Sequence, residues 1–334
     1  MKTNTNLQKL MKSLAPLLAL FVLSAVLSFI APNFLTVNNI MNVLRQTAVN
    51  GFIASGMLVV LITAGIDLSV GANAVLRACI MGALLSRLGI TNPVVLIAAA
   101  ILTGTLVGVL NGVLLTKLKL PHPFVSTLGM KNVLAGLALW VVSTRTISGF
   151  PSAVTWLGSS DLFKQQGFNG FPMAFLAMLI AFTAFHILLK YTALGRAIYS
   201  VGGNLEATRL SGINTDNVLI FVYGLSGFMC AIAGIIIVGR SGVANPASAL
   251  SAYDTDAIAA CIIGGASFTG GKGTIWGTLI GALIISIIRN GLTLLNAASD
   301  MQFIVIGLVI IVSVYIDVKR NRAEEKSRRL ATTK

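Results

Sequence analysis

The sequence predicts an all-α polytopic membrane protein of about ten transmembrane helices, with broken and re-entrant segments and both termini cytoplasmic. Three observations predict it. Of the 334 residues, 56% are hydrophobic and only 10% are charged, whereas soluble domains carry roughly 25% charged residues. Apolar runs long enough to cross a bilayer, about 20 residues each, alternate with short polar turns. The formal net charge of +14 gathers at the two ends and in those turns, as the positive-inside rule expects of a membrane protein and not of a nucleic-acid face. The chain divides into one transmembrane domain, residues 1–318, and a basic cytoplasmic tail, residues 319–334.

Lys2, Lys9 and Lys12 precede an apolar run at 14–30. That run is long for a signal peptide, and Pro32 and Asn33 follow it with no convincing cleavage site, so it reads as an uncleaved first span. Residues 32–39, PNFLTVNN, form an outer turn. From Asn39 the pattern is a broken span. Asn42, Arg45, Gln46, Thr47 and Asn50 are too polar to face lipid, and Gly51 and Gly56 permit a break or close packing. GIDLSVG, 65–71, is a glycine-flanked reversal in which Asp67 or Ser69 can cap the next span, 72–88, which contains Arg77.

The span at 94–115 carries Gly104, Gly108 and Gly112 on one helical face, a pattern that lets another backbone come close in lipid. Lys117 and Lys119 form a basic turn before Pro121 and Pro123, and 125–142 is the next span. Residues 143–172 read as an outer loop with Trp156, Phe163 and Phe168 as interfacial anchors. Two spans, 173–189 and 218–238, flank the polar segment 191–216, YTALGRAIYSVGGNLEATRLSGINTD. Its Arg196, Glu206, Arg209 and Asp216 suit water, while Gly195, Gly202, Gly203 and Gly212 break it into short helical pieces. On its residues alone it is either an ordinary connecting loop or a folded loop presented to a partner. Beyond Arg240 an outer loop leads to 257–265, too short to cross alone and read as a re-entrant or short span, and then to FTGGKG at 268–273. Spans at 274–289 and 303–316 complete the set. The glycine-bounded turns at 65–71 and 264–271 hint at an internal repeat.

The chemistry that would make an enzyme is missing from the pattern. Cys79, Cys230 and Cys261 lie in apolar runs without metal-ligand spacing, and His122 and His186 have no partner nearby in sequence. GASFTGGKG, 265–273, superficially resembles a phosphate-binding loop. It fails, because Ala266 stands where the motif needs glycine and Gly273 follows Lys272 where Ser or Thr would hold magnesium. No catalytic residue, metal site or cofactor is expected.

PNFLTVNNIMNVLRQTAVNGFIASGM, ITAGIDLSVG, LGRAIYSVGGNLEATRLSGIN, DAIAACIIGGASFTGGKGTIWGTLIGAL and the NGL at 290–292 together resemble the membrane permease subunit of bacterial ribose-type ABC sugar importers. The resemblance implies import of a monosaccharide, ribose or a related pentose or hexose, through the bacterial inner membrane. It also implies three partners: a second permease copy, a periplasmic sugar-binding protein, and a cytoplasmic ABC ATPase that binds the ATP and magnesium. Under it, Gly195, Arg196, Gly202, Gly203, Asn204, Glu206, Arg209 and Gly212 become the element that docks on the ATPase. Asn42, Gln46, Thr47, Asn50, Asp67 and Ser69 become candidates for the sugar pathway; the alternative is that they cap helices and hold neighbouring spans. Arg77 departs from the small and apolar residues the family usually has there. It costs about 2.5–3.5 kcal/mol on insertion scales unless it is paired or faces water, so it faces the interior or snorkels and is a further pathway candidate. A stand-alone secondary transporter or channel is the competing reading.

Overall fold

Threonine and asparagine caps mark where the helices begin. The computed structural model describes residues 2–118, 120, 122–165 and 170–332. Lys119, Pro121, Phe168 and Lys334 of the sequence reading lie outside the described residues, as do the side chains of Lys2, Lys9, Lys12, Arg320, Arg322, Lys326, Arg328 and Arg329. The first helices are α1 (Lys2–Ile30), α2 (Val37–Ile62), α3 (Val70–Leu88), α4 (Pro93–Thr116) and α5 (Pro123–Val141). A loop with β1 (Ile147–Ser148), α6 (Ser152–Ser159), β2 (Asp161–Leu162) and β3 (Phe171–Pro172) leads to α7 (Met173–Tyr191). Then come α8 (Ala193–Gly203), α9 (Leu205–Leu210), α10 (Thr215–Ser241), β4 (Val243–Ala244) and a 3-10 turn at Pro246–Leu250. The chain closes with α11 (Tyr253–Ile263), α12 (Ile275–Leu294) and α13 (Ser299–Thr332). Thr36, Asn92, Thr192, Asn204, Asn214 and Thr274 cap α2, α4, α8, α9, α10 and α12 through their side chains. Such a cap is worth about 1 kcal/mol.

Among the described residues, eight helices are long and apolar enough to cross a membrane: α2, α3, α4, α5, α7, α10, α12 and α13. α1 adds a shorter apolar stretch, Pro16–Ile30, and α11 at 11 residues reaches only part-way, as the re-entrant reading expects. The helices sort by burial. The apolar window of α2 is 89% buried, against 22% for α4 and α5 and 11% for α13. α2 is therefore the central post, and polar residues on it meet protein instead of lipid.

The broken second span is corrected by the structure. α2 runs unbroken from Val37 to Ile62, because its glycines serve packing. A Cβ built on Gly56 would lie 2.9 Å from the Ser226 backbone, and one on Gly51 would overlap the Met178 side chain. The stretch at 143–172 also proves more ordered than a loop: β1 pairs antiparallel with β4, and Gly158 of α6 seats against Gly239 of α10. Trp156 and Phe163 remain 52% and 77% exposed.

The turns gather at two ends of the bundle. At one end, Lys117 pairs with Asp216 at 3.1 Å, and the 264–271 turn meets the end of α2 where Gly271 N–H donates to Ile62 O. At the other, Arg45 pairs with Asp161 at 2.7 Å and Arg87 donates to Ser143. Reciprocal amide bonds of 2.9 and 2.8 Å join Asn39 of α2 to Asn290 of α12.

Candidate functional site: a polar cavity and an exposed helical segment

Asn42, Gln46 and Asn50 recur every four residues on α2 and so share one face. Below Asn42 that face borders a cavity of about 380 Å³ with Gln46 and Asn50 in its wall, within the size range of small-molecule sites. The opposite walls come from far along the chain: Tyr253 and Asp256 of α11, Ser286, Arg289 and Thr293 of α12, Arg240 from the last turn of α10, and Gln302 of α13. The Arg289 guanidinium grips both Asp256 carboxylate oxygens, at 2.6 and 2.8 Å. Asn50 is only 7% exposed, and neither polar atom of its amide has a partner among the described residues. An unpaired buried amide costs about 1–3 kcal/mol, and both polar atoms of Asn50 are closed off behind the wall. Gln46, Tyr253 and the Arg289–Asp256 pair are the lining groups that offer a polyhydroxylated guest both donors and acceptors.

The remaining pathway candidates lie elsewhere. Asn42 is half-buried and does not border the cavity. Thr47 is fully buried and bonds back to Val43 O at 2.8 Å. Asp67 accepts from both the backbone N–H and the hydroxyl of Ser69, and Asn111 donates to that hydroxyl. Burial raises the Asp67 carboxyl above its ordinary range, partly offset by these bonds. Arg77 faces the interior, 1% exposed between α3, α4 and α10, with Nε donating to Asn73 O at 3.1 Å. Neither Asp67, Ser69 nor Arg77 touches the cavity.

Sequence reasoning picked out Gln46 and Asn50 on α2 and passed over the walls that α10, α11, α12 and α13 supply. Arg289 appeared only as the end of a span and Asp256 as the edge of a re-entrant piece. Lys131, in the middle of α5, was missed altogether; it pairs at 2.6 Å with Asp254, which is 2% exposed. A lysine in mid-span was the available signal.

At the opposite end from Arg45 and Asp161, α8 and α9 present an open surface. Arg196, Gly203, Asn204, Glu206, Arg209 and Gly212 are exposed, while Gly195 and Gly202 are buried against the bundle. Asn204 caps α9 by accepting from Ala207 N–H, and Gly212 turns the chain with a φ of 84°. Leu210, between the charges, is 87% exposed.

The family model of the permease component of branched-chain amino acid transport systems matches residues 39–314, which contain the whole cavity and the exposed segment. The chain belongs to this permease family. Among the permease's relatives, the ribose import permease protein RbsC of Escherichia coli K12 is 43% identical over 308 residues, spanning 91% of this chain and 93% of the relative. That of Bacillus subtilis 168 is 40% identical over 93% of this chain and 94% of its own. The fructose import permease protein FrcC of Rhizobium meliloti is 37% identical over 82% and 76%. No solved structure matches. The permease is thus a polytopic membrane transport subunit, and the reading as a stand-alone secondary transporter gains no support from its relatives.

Proposed function

We propose that the permease is the membrane subunit of an ABC importer for a monosaccharide, ribose or a related pentose or hexose. The sugar arrives from a periplasmic binding protein at the cavity, and a separate cytoplasmic ATPase, which binds the ATP and magnesium, docks on α8 and α9. The observation that carries the proposal is a cavity lined by Gln46, Tyr253 and the Arg289–Asp256 pair, with Asn50 in its wall. Planar amide and carboxylate groups with an aromatic ring are what a sugar needs in place of water. The relatives' names supply the substrate class.

In this reading Gln46 contacts the sugar with Asn50 behind it in the same wall, and Asn42 continues their face toward Val37. Thr47, Asp67 and Ser69 shape the pathway by holding α2 and the start of α3, and Arg77 by holding α3 against α4 and α10. The exposed end carries Lys117, Lys190, Arg196, Arg209, Lys272 and Lys319, and both terminal basic stretches join it when α1 and α13 each cross once; together they outnumber Arg45, Arg87, Arg145, Lys164 and Arg240 at the other end. The positive-inside rule then makes that end cytoplasmic. About ten crossing or half-crossing helices result, in a permease that works as a homodimer.

Reconstitution tests the proposal. Uptake of labelled ribose, fructose or galactose into proteoliposomes should require the ATPase, ATP and the binding protein; uptake by the permease alone overturns it. Replacing Gln46 by Leu should lower uptake about tenfold to a hundredfold, the cost of one or two lost hydrogen bonds to substrate, without reducing ATPase association. Glu206→Lys or Leu210→Asp should instead lower ATPase copurification about tenfold, as expected for a charge or apolar anchor in an interface.

A further inference from the structure

The FTGGKG stretch, rejected as a phosphate loop, has a mechanical surrounding. It closes the connection between α11 and α12, and Gly265, Gly270, Gly271 and Gly273 all have positive φ there, a conformation that L side chains rarely adopt. α8 sits directly on it. A Cβ on Gly202 would collide with Ile62 O and come within 2.7 Å of Gly271 N, the pair already joined by the 2.8 Å hydrogen bond from loop to α2. A Cβ on Gly270 would likewise lie 2.7 Å from Gly202 O. Tyr199, one turn earlier on α8, donates its hydroxyl to Gly273 O at 2.7 Å. Burial raises the Tyr199 phenol further above its ordinary value.

Beyond this seat the connection is stiff. Gly264 and Gly277 approach each other so closely that a Cβ on either would overlap the other's carbonyl, and Gly281 does the same against Ala260. α11 and α12 therefore pack backbone to backbone, and at their far ends Asp256 and Arg289 clamp each other in the cavity wall. The other partner of the seat, Ile62, ends the helix that carries Gln46 and Asn50. A displacement of α8 thus bears on both walls of the cavity through rigid elements.

We infer that Tyr199 is a positioning residue for transport: its hydroxyl on Gly273 ties the exposed α8–α9 segment to the α11–α12 hairpin, so that movement of α8 is delivered to the cavity wall. This rests on the proposed ATPase docking. It differs from that docking in predicting a residue whose loss spares assembly and hydrolysis but not transport.

The test is Tyr199→Phe, which removes a single oxygen, in proteoliposomes holding permease, ATPase and binding protein. Sugar moved per ATP hydrolysed should fall about fivefold, the effect of one net hydrogen bond, with complex yield by size-exclusion chromatography and basal ATP hydrolysis unchanged. Gly202→Ala, which adds a methyl group against Ile62 O, should lower the same ratio at least as far. An unchanged ratio in Tyr199→Phe overturns the inference, as does a loss of assembled complex, which would make the hydroxyl merely structural. If the unmodified permease moves sugar without ATPase, the docking proposal fails instead, and the two failures are distinguished by the unmodified control.

Discussion

Arg289→Ala should abolish sugar uptake and destabilise the folded permease by about 3 kcal/mol, the lower end of the range for breaking a buried ion pair. The pair is bidentate and its partners are only 27% and 7% exposed. Its worth is not a net Coulombic gain, since desolvation cancels most of that. Removal of one partner is costly because the Asp256 carboxylate is then left buried without compensation, with only cavity water to soften the loss. Asp256 lies in the first turn of α11, so the strain falls on the element that walls the cavity. The double variant Arg289→Ala/Asp256→Ala separates the two effects. It should recover most of the thermal stability in detergent while leaving uptake undetectable, because the groups facing the sugar are gone. Uptake surviving in Arg289→Ala would remove the pair from the site.

Sequence and structure part company where distance along the chain is large. The half-length of α11, the glycine face of α4 and the polar face of α2 were all legible, because each is a local pattern with one physical meaning. Gly51 and Gly56 had two meanings, since the missing Cβ serves a kink and a close contact equally, and only Met178 and Ser226, more than 120 residues away, decide for the contact. Asn50 could be picked as polar in a span, but its company of Tyr253, Asp256 and Arg289 is assembled by packing over 200 residues later. Arg77 was confined to interior or interface and lies in the interior; that it packs beside Gly104 and Gly234 depends on helices the local sequence does not mention. FTGGKG is the clearest case. Its sequence excluded a phosphate loop and named no role for its glycines; the group that approaches them is α8 of the same chain.

The second large effect is expected at Gly108. Inside a bilayer, apolar surface gains little from leaving lipid for protein, so helices hold together mainly by close packing and interhelical hydrogen bonds. α4 and α10 achieve this by touching backbone to backbone: a Cβ on Gly108 would overlap Tyr223 O and stand 3.0 Å from Gly227, one on Gly112 would stand 2.7 Å from Ile220 Cα, and one on Gly104 2.8 Å from the Ala231 Cβ. Gly108→Val places three carbons where there is room for none and must push the helices apart along the whole stripe. Overpacking usually costs about 1–3 kcal/mol; here the obstruction is rigid backbone, and separation also opens the Asn73–Gly104 bond and the enclosure of Arg77, whose charge would then meet lipid. Folded permease recovered from membranes should fall below detection. Gly136 of α5 supplies the control, since a Cβ there meets nothing within 4 Å: Gly136→Ala should keep full yield and a thermal midpoint at or above that of the unmodified chain, as an exposed helical alanine is favoured by up to about 1 kcal/mol over glycine. Equal yields of Gly108→Val and Gly136→Ala would mean that the α4–α10 contact is looser than described and that burial of Arg77 needs another explanation.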